Sequence, residues 1–484
     1  MKFHWITIVW GKRYTELFVN LVIPSQLSSG NLPALKHRGE SIYKIYAPAA
    51  DIDTIRRSAS FARLSSLVSV QFIEIADIDE QRLMSWPYDF MTVCHKHAYE
   101  EAVSTEAAAI FLAPDAILSD GSFAAVERRA LEGYSLLLTS ALHAALENGR
   151  PWIEQRCTEP DGSVRLSSHD AVALTRKHPQ FHIENLMVSG GKFANGWPSS
   201  MWIPVSQHSM VSRAWHLHPI LARSKHSAVS AETVDSGQFL EAAAARNESV
   251  YVFRDSKEFC VVELSAYKQR GSFLKEATPF SADEVAEWVD ANTGPASRAL
   301  ARTSFLFDGG DANSDEIAQA DQVLTEHIDA VLSRTTSPIR TILPIDSASE
   351  IDRTRPTYFY GSGAFGQRLL EEMNDLGAWR FQGFIDSRQS GVCRGFPVLD
   401  LEQFQAAYRP GDQIVISSMY LTQISKALGQ LGISEAKDAT GWYRARQHAD
   451  RIGTIALRPL ALESCEPEKV TEYFSNTWNK MSGF

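Results

Sequence analysis

The chain has 484 residues, of which 44% are apolar and 22% charged, and its formal net charge is −11. This composition is typical of a soluble globular protein with two or three domains. The negative charge argues against a nucleic-acid partner, because the phosphates would be repelled and no local basic run offsets the average.

The cysteines and the N-terminus favour a cytoplasmic location. The five cysteines form no C-x-x-C pair and leave one over in any pairing scheme, which suits a reducing compartment. The N-terminal apolar run is too short for a signal peptide, and no stretch reaches the roughly 18 apolar residues of a membrane span. We therefore expect no transmembrane segment.

The chain opens with strands that alternate with helices. The expected elements are a strand at Phe3 to Val9, a helix at Arg13 to Leu27, a strand at Ser41 to Tyr46, a helix capped by Asp51 or Asp53, and a strand at Val68 to Ile75. This alternation predicts an α/β fold with a mostly parallel sheet and helices on both faces. The loop after the first strand should then face the same sheet edge as the later strand-end loops.

A helix at Asp89 to Ala109 leads into a buried strand at Ala109 to Ala113. On this helix, His95 is a candidate contact for a phosphate or a base, and it is equally compatible with a surface role. His97 is expected to be a surface group. Residues two apart on a helix point in different directions, so these two histidines should not share a metal ion.

Two carboxylates follow the buried strand. Asp115 and Asp120 lie in the loop that leads to an expected helix at Ser122 to Glu132. Ligands of open α/β sheets bind at the carboxyl ends of the strands, so a metal ion or a sugar nucleotide is a candidate here. The alternative is that Ser119 or Asp120 caps the helix and Asp115 makes a turn.

The succession of a Tyr-containing first helix, the helix segment H-K-H-A-x-x-x-A, a buried strand and the loop PDAILSDGS resembles the nucleotide-sugar half of GT-A glycosyltransferases. It is also similar to a group of bacterial glycosyltransferase-like proteins, and the likeness covers about residues 1 to 265. It implies a nucleotide-sugar donor and a Mn²⁺ or Mg²⁺ ion held by Asp115 or Asp120. The family has one residue between its two aspartates, whereas four separate them here.

The same resemblance implies a histidine as a third metal ligand. The segment RAWHLHPIL offers His216 and His218, which would point to the same face of an extended chain. The alternative is that both are satisfied histidines at a strand end before Pro219.

Glycosyl transfer also needs a base for the proton of the acceptor hydroxyl. Asp255, after an expected strand at Ser249 to Phe253, is the first candidate, and Asp235 is the second. A carboxylate in such a position is also a common turn or helix cap.

The loop at Val188 to Pro204 is a candidate lid. Two tryptophans in this loop and one shortly after it could stack on a sugar ring, or they could pin the loop to the core. They are Trp197, Trp202 and Trp215.

The chain is expected to divide after an amphipathic helix at Ser314 to Leu332, where Ser333 to Pro356 is rich in Pro, Ser and Thr. We predict a GT-A-like domain over residues 1–310, a helix and linker over 311–353, a smaller Rossmann-like domain over 354–445, and a C-terminal tail over 446–484.

The second domain begins with a strand that runs into G-x-G-x-x-G, followed by a helix, a strand at Phe381 to Ile385 and an acid, Asp386. Its glycines, Gly361, Gly363 and Gly366, would let a pyrophosphate approach the helix N-terminus, and Asp386 would bind a ribose hydroxyl. Residues 354 to 440 resemble the small nucleotide-binding domain of bacterial sugar acyltransferases and polysaccharide-biosynthesis proteins. The resemblance implies a second nucleotide site or a structural module.

Together these patterns predict a glycosyltransferase that moves a sugar from a nucleotide-sugar donor to a glycan acceptor in surface-polysaccharide biosynthesis. One alternative is an NAD(P)-dependent sugar-nucleotide oxidoreductase or epimerase. It is disfavoured because no Y-x-x-x-K pair follows the glycine motif and because the remaining length supplies few strands for a complete dinucleotide fold. Another alternative is a non-catalytic nucleotide-binding scaffold.

Overall fold

The computed structural model describes residues 1–78, 80–223, 233–234, 237–245, 249–268, 277–335, 341–345, 347–452 and 455–463. Over these residues the chain is a mixed α/β protein built around two large sheets. None of the helices in these ranges combines the length and the apolar composition needed to cross a membrane.

The strands follow one another along the chain in short segments. They are β1 Phe3–Ile8, β2 Ile42–Ala47, β3 Ser69–Ala76, β4 Ala108–Leu112, β5 Ala116–Leu118, β6 Leu136–Thr139, β7 Leu142–Ala145, β8 Lys192–Phe193, β9 Ser200–Pro204, β10 Met210–Ala214, β11 His218–Ala222, β12 Val250–Val252, β13 Val261–Ser265, β14 Thr278–Pro279, β15 Phe305–Phe307, β16 Thr341–Pro344, β17 Thr357–Tyr360, β18 Phe381–Ile385, β19 Gly391–Cys393, β20 Phe396–Leu399, β21 Gln413–Ile416, β22 Glu435–Asp438 and β23 Ala456–Pro459.

The helices lie between these strands and cover the sheets. They are α1 Lys12–Leu17, α2 Ile23–Gln26, α3 Ala49–Arg56, α4 Ala59–Leu67, α5 Glu80–Ser85, α6 Pro87–Ser104, α7 Ser122–Leu131, α8 Leu146–Arg156, α9 Ser168–Lys177, α10 Phe181–Asn185, α11 Gly237–Ala245, α12 Ala282–Asn292, α13 Pro295–Leu300, α14 Ser314–Leu332, α15 Ala364–Asp375, α16 Leu401–Ala407, α17 Leu421–Gln430 and α18 Thr440–Ile452. A π-helical turn at Phe18–Val22 joins α1 to α2.

The first sheet has the strand order β12-β6-β11-β4-β1-β2-β3-β23 in the described part of the chain. The strands β1 to β4 pair in parallel, and β6 pairs in parallel with β12. The strand β11 runs antiparallel between β4 and β6. The residues of β1 and β4 are all buried, which explains why β4 is continuously apolar and why β1 does not alternate regularly between apolar and polar residues.

Three smaller sheets extend the first unit. Their strand orders are β5-β13-β7, β15-β10-β9 and β14-β8. In the first of these, β13 lies antiparallel to β5 and parallel to β7, so it brings distant parts of the chain together beside the end of β4.

The second sheet has the order β16-β22-β21-β17-β18-β20-β19 among the described residues. All of its neighbouring strands pair in parallel except β19 with β20. Successive residues of β17 enter different cores, with Phe359 on one face and Tyr358 and Tyr360 on the other. Both faces of this sheet are therefore apolar, as expected for a parallel sheet covered on both sides.

The expected linker over 311–353 contributes to both units. Its helix α14 packs into the first core through Leu324 and Ile328, whereas β16 pairs with β22 in the second sheet. The second unit therefore begins before residue 354. Because β16 adds a strand, the second sheet has more parallel strands than the sequence predicts.

The end of the chain returns to the first unit. Ile452, at the end of α18, lies in the first core, and β23 pairs antiparallel with β3 at the sheet edge. An ion pair between Arg56 and Glu463, with the nitrogen 2.8 Å from the oxygen, holds the segment after β23. The expected tail over 446–484 thus contains a strand of the first sheet.

Candidate functional site

The first sheet reverses its direction of growth between β1 and β4. The chain proceeds from β1 to β2 and β3 on one side, and then returns to place β4 on the other side of β1. The loops after β1 and β4 therefore leave in opposite directions and open a crevice at the carboxyl edge of the sheet. Arg13 and Tyr14 lie at the start of α1, just after the first loop, and Asp115 lies in the second loop.

Asp115 is held at this edge by β13. Its backbone carbonyl accepts a hydrogen bond from Leu264 N at 3.0 Å, and its carboxylate accepts one from Ser265 Oγ at 3.3 Å. Only 9% of its surface is exposed. Burial, with the negative charge of Glu263 as the second cause, raises the pKa of Asp115 to about 7.

Three more polar side chains follow Asp115 in successive contacts, and together the four form what we call the carboxylate–imidazole cluster: Asp115, Glu263, His143 and His218. In the sheet β5-β13-β7, Glu263 pairs with Ala116 on one side and with His143 on the other. The Nδ1 atom of His143 is 3.4 Å from a carboxylate oxygen of Glu263. The rings of His143 and His218 are 6.5 Å apart between centroids.

The imidazole of His143 is neutral at physiological pH. Burial, followed by the charge of His218, lowers the pKa of His143 to about 3. Burial, followed by the charge of Asp115, raises the pKa of Tyr14. The site thus combines two carboxyl groups, of which that of Asp115 is buried, the neutral imidazole of His143, and a phenol from the start of α1.

The donor types of this cluster suit a divalent cation. Carboxylate oxygens are the ligands that Mg²⁺ and Mn²⁺ prefer, and a cation would offset both the burial and the repulsion by Glu263 that raise the pKa of Asp115. Among the described residues, however, no three carboxylate, imidazole or thiol groups already stand close enough together to hold one ion.

Asp120 does not belong to the cluster. It follows β5, whose other end is next to Asp115. The extended segment from Asp115 to Asp120 can span up to about 16 Å. Its carboxylate accepts hydrogen bonds from Gly30 N at 2.7 Å and from Arg165 Nε at 3.2 Å. The helix α7 begins after Gly121 without a side-chain cap, so neither Ser119 nor Asp120 caps it.

The two histidines of RAWHLHPIL have different surroundings. Residues 215 and 216 form a bend between β10 and β11, in place of the expected extended chain. The ring of His216 therefore packs edge-on against Trp288, with centroids 5.5 Å apart, while His218 faces His143.

The remaining predicted side chains lie away from the cluster or outside the described residues. Asp255 follows β12, which lies three strands from β4, or roughly 14 Å at normal strand spacing. Its carboxylate accepts a hydrogen bond from Lys257 N at 2.8 Å, as in a turn cap. His95 is buried, with its ring edge-on to Phe111 at 5.5 Å. Asp235 is outside the described residues.

The second sheet has a comparable reversal between β17 and β21, and the glycine motif lies there. Gly361 has φ +123°, and a Cβ at this position would be 2.5 Å from the carbonyl oxygen of Ser417. A Cβ on Gly366 would be 2.0 Å from the carbonyl oxygen of Gly361. These two glycines are therefore required by the packing of the protein itself.

Gly363 differs from the other two glycines. It has φ −69°, and among the described residues no atom lies within 4 Å of a Cβ built at this position. It is the N-cap of the twelve-residue helix α15 and provides no side-chain cap. Open space at a helix N-terminus is where an anion can approach the free N–H groups.

Asp386 is bonded to the glycine turn. Its carboxylate accepts hydrogen bonds from Ser362 Oγ at 2.6 Å and from Arg388 N at 2.9 Å. Burial opposes ionisation, but these bonds outweigh it and lower the pKa of Asp386. A ribose hydroxyl that bound Asp386 would therefore have to donate to a carboxylate that already accepts hydrogen bonds from the glycine turn.

Comparison of the sequence with protein-family models and with curated proteins finds no match.

The sequence interpretation omitted Glu263 and His143. Each is a polar residue within an apolar strand, in CVVEL and in SALHAAL, and this is the signal that was available. An isolated polar side chain in a buried strand must find a partner, so it is a candidate site residue.

Proposed function

We propose that the chain is a glycosyltransferase that takes a sugar from a nucleotide-sugar donor and transfers it to a glycan acceptor, with the carboxylate–imidazole cluster as its reaction centre. The observation that carries the proposal is the proximity of Asp115 to Glu263, whose strand partner is the adjacent Ala116, at the point where the first sheet reverses direction. This is the edge at which open α/β sheets bind nucleotides, and two carboxyl groups suit the charge and proton changes of glycosyl transfer.

In this proposal Asp115 serves the donor side of the site. It lies directly after β4, and Arg13 and Tyr14 come from the start of α1, just after the β1 loop. Asp115 would supply a carboxylate ligand to Mn²⁺ or Mg²⁺, with water and the donor phosphates as the other ligands. A bound cation neutralises negative charge on the departing nucleoside diphosphate. Arg13 adds a positive charge on the same side.

Glu263 serves the acceptor side. As an ionised carboxylate it can take the proton from the acceptor hydroxyl as that oxygen attacks the anomeric carbon of the donor. Its contact with His143 restrains its position, and the neutral state of His143 means that no ion pair quenches its basicity. Exclusion of water by the buried cluster strengthens both interactions.

The test is a thermal-shift screen with nucleotide-sugars, NAD(P) and S-adenosylmethionine, each with and without Mn²⁺, followed by calorimetry on the best ligand. The proposal expects nucleotide-sugars to raise the melting temperature, more strongly with Mn²⁺. A shift with NAD(P) alone would favour the oxidoreductase alternative. The absence of any shift would favour the scaffold alternative.

A second candidate function concerns the glycine turn of the second unit. We propose that this turn binds the phosphates of another nucleotide. Neither the backbone conformation nor the packing requires a glycine at position 363, and this position faces open space. The parallel strands on both sides of β17 support a Rossmann-like interpretation of the second unit. The NAD(P) titration in the same screen tests this site as well.

A further inference from the structure

We infer that Trp197, supported by Trp288, forms a stacking subsite for a pyranose ring of the glycan acceptor. This inference rests on the proposed function, and it adds the place where the acceptor binds. Trp197 is 56% exposed, whereas the two other candidate tryptophans of this region, Trp202 and Trp215, are each 1% exposed. Of these three, Trp197 has a ring face that a ligand can reach.

The exposed ring is held by a rigid neighbour. Its centroid is 5.7 Å from that of Trp288 in an edge-on arrangement, and Trp288 is 9% exposed on the helix α12. An aromatic ring that is fixed before binding loses little conformational freedom when a ligand stacks on it. An exposed but supported tryptophan is therefore suited to bind the apolar face of a sugar ring.

The subsite is connected to the reaction centre through adjacent side chains. Trp288 contacts His216, with centroids 5.5 Å apart, and His218 follows two residues later and faces His143 of the cluster. The loop of Trp197 is also fixed to this segment, because Trp215 N donates a hydrogen bond to Ser199 O at 2.9 Å. These contacts lead from Trp197 through Trp288 and His216 to the segment that carries His218, and we assign this side of the cluster to the acceptor.

A second observation points to a hydroxyl-bearing ligand. The indole N–H of Trp288 is buried and has no hydrogen-bond partner within the described part of the chain. Buried donors are normally paired, so an unpaired one is a candidate for a ligand contact. Carbohydrate hydroxyls supply oxygen acceptors next to the apolar ring face that stacks on tryptophan.

The experiment measures binding of carbohydrates alone, without donor, to the full chain. Saturation-transfer NMR with the methyl glycosides of glucose, galactose, mannose and N-acetylglucosamine compares wild type with Trp197→Ala, Trp197→Phe and Trp86→Ala. Trp86 is the matched control, because it is another exposed tryptophan of the first unit, at 41%.

We expect saturable binding of at least one glycoside by wild type and about a tenfold loss in Trp197→Ala, which is the effect of burying roughly 60 Å² of indole face. Trp197→Phe should recover part of the affinity, and Trp86→Ala should retain all of it. Unchanged binding in Trp197→Ala, a loss confined to Trp86→Ala, or no saturable binding by wild type would overturn the inference. Donor titrations of the same variants separate this failure from that of the proposed function, since donor binding should not depend on Trp197.

Discussion

The Nδ1 atom of His143 lies 3.4 Å from a carboxylate oxygen of Glu263, although the two residues are far apart in sequence. Their neighbouring strands β7 and β13 place them in register, and the next strand across, β5, begins beside Asp115. One small sheet thus brings together a buried aspartate, a partly exposed glutamate and an imidazole at the edge of the larger sheet. Each residue can be tested by a change that preserves its shape.

The first prediction separates Asp115 and Asp120, which lie at opposite ends of β5. Asp115→Asn should abolish Mn²⁺-dependent binding of the nucleotide-sugar, because it removes a negative charge from the proposed donor side. Asp120→Asn is the matched control, since it makes the same change at the other end of this short strand. We expect it to retain donor binding and to lose about 0.5–1.5 kcal/mol of stability through its weakened contact with Arg165.

Calorimetric titration and thermal unfolding of both variants measure these effects. Loss of donor binding in Asp120→Asn with retention in Asp115→Asn would reverse the assignment. Retention in both would remove the reaction centre from this loop.

The second prediction concerns Glu263. Glu263→Gln should leave donor affinity within about threefold of wild type but lower the rate of sugar transfer by about 10²-fold or more, because an amide cannot accept the acceptor proton. The measurement is steady-state transfer kinetics together with donor titration. Equal losses in donor binding and in transfer would show that Glu263 acts mainly on the donor side.

The third prediction is a pH dependence of stability. The pKa of Asp115 is raised from 3.8 to about 7 in the folded protein, so between these pH values the folded state holds a proton that the unfolded state has released. Stability from this group is therefore present below about pH 4 and is lost as the pH rises to about 7. At about 1.4 kcal/mol per pKa unit, the loss amounts to at most about 4 kcal/mol.

Asp115→Asn removes this titration. The variant should unfold at higher denaturant concentration than wild type at pH 8, and the difference should shrink toward pH 4. Urea unfolding of both proteins across this pH range makes the comparison. An equal pH slope in the two proteins would contradict the raised pKa.

The sequence predicts the main elements well where local patterns suffice. The strand Phe381–Ile385 and the helix Ser314–Leu332 occur with the expected bounds. The helix bounds follow from an apolar repeat and from the Asn313 and Glu316 side chains, which form a capping box at its start. The expected bounds of β1 and β4 lie within two residues of those observed; β4 is a continuous apolar run, and β1 is mostly apolar.

The site could be predicted only in part, because its residues meet through pairings that no local pattern encodes. Asp115 is visible in the sequence as a carboxylate at a strand end, but its partner Glu263 reaches it through the antiparallel pairing of β13 with β5. Asp115 and Asp120 look equivalent in sequence, yet they lie at opposite ends of β5. Similarly, no sequence pattern distinguishes Gly363, which faces open space, from Gly361, which packs against Ser417.

The fourth prediction uses this difference between the glycines. In an Asp115→Asn background, which silences the first site, Gly363→Val should abolish nucleotide-dependent thermal stabilisation while costing about 1 kcal/mol or less of stability. Gly361→Ala should cost about 2 kcal/mol or more, since its Cβ would meet a backbone oxygen and its φ is +123°. If Gly363→Val still binds the nucleotide, or the Asp115→Asn background already binds none, the phosphate-turn proposal is wrong.

The last prediction concerns the join between the two units. Their hydrophobic cores are separate, and the segment between Ser333 and Pro356 is rich in proline and serine, so limited proteolysis should cut there. The two fragments should nevertheless stay together, because β23 of the C-terminal fragment pairs with β3 and Ile452 is buried in the first core. Size-exclusion chromatography of the nicked protein should show one peak, and a denaturing gel should show two bands.

The matched control for this prediction is Ile452→Asp, which places a charge in the first core without changing the cut site. After nicking, this variant should release its C-terminal fragment more readily than wild type does. If the wild-type fragments separate on nicking, the pairing of β23 with β3 does not hold the units together. If nicking yields no stable fragment ending near this segment, the two cores do not fold as separate units, because a cut there would otherwise leave each core intact.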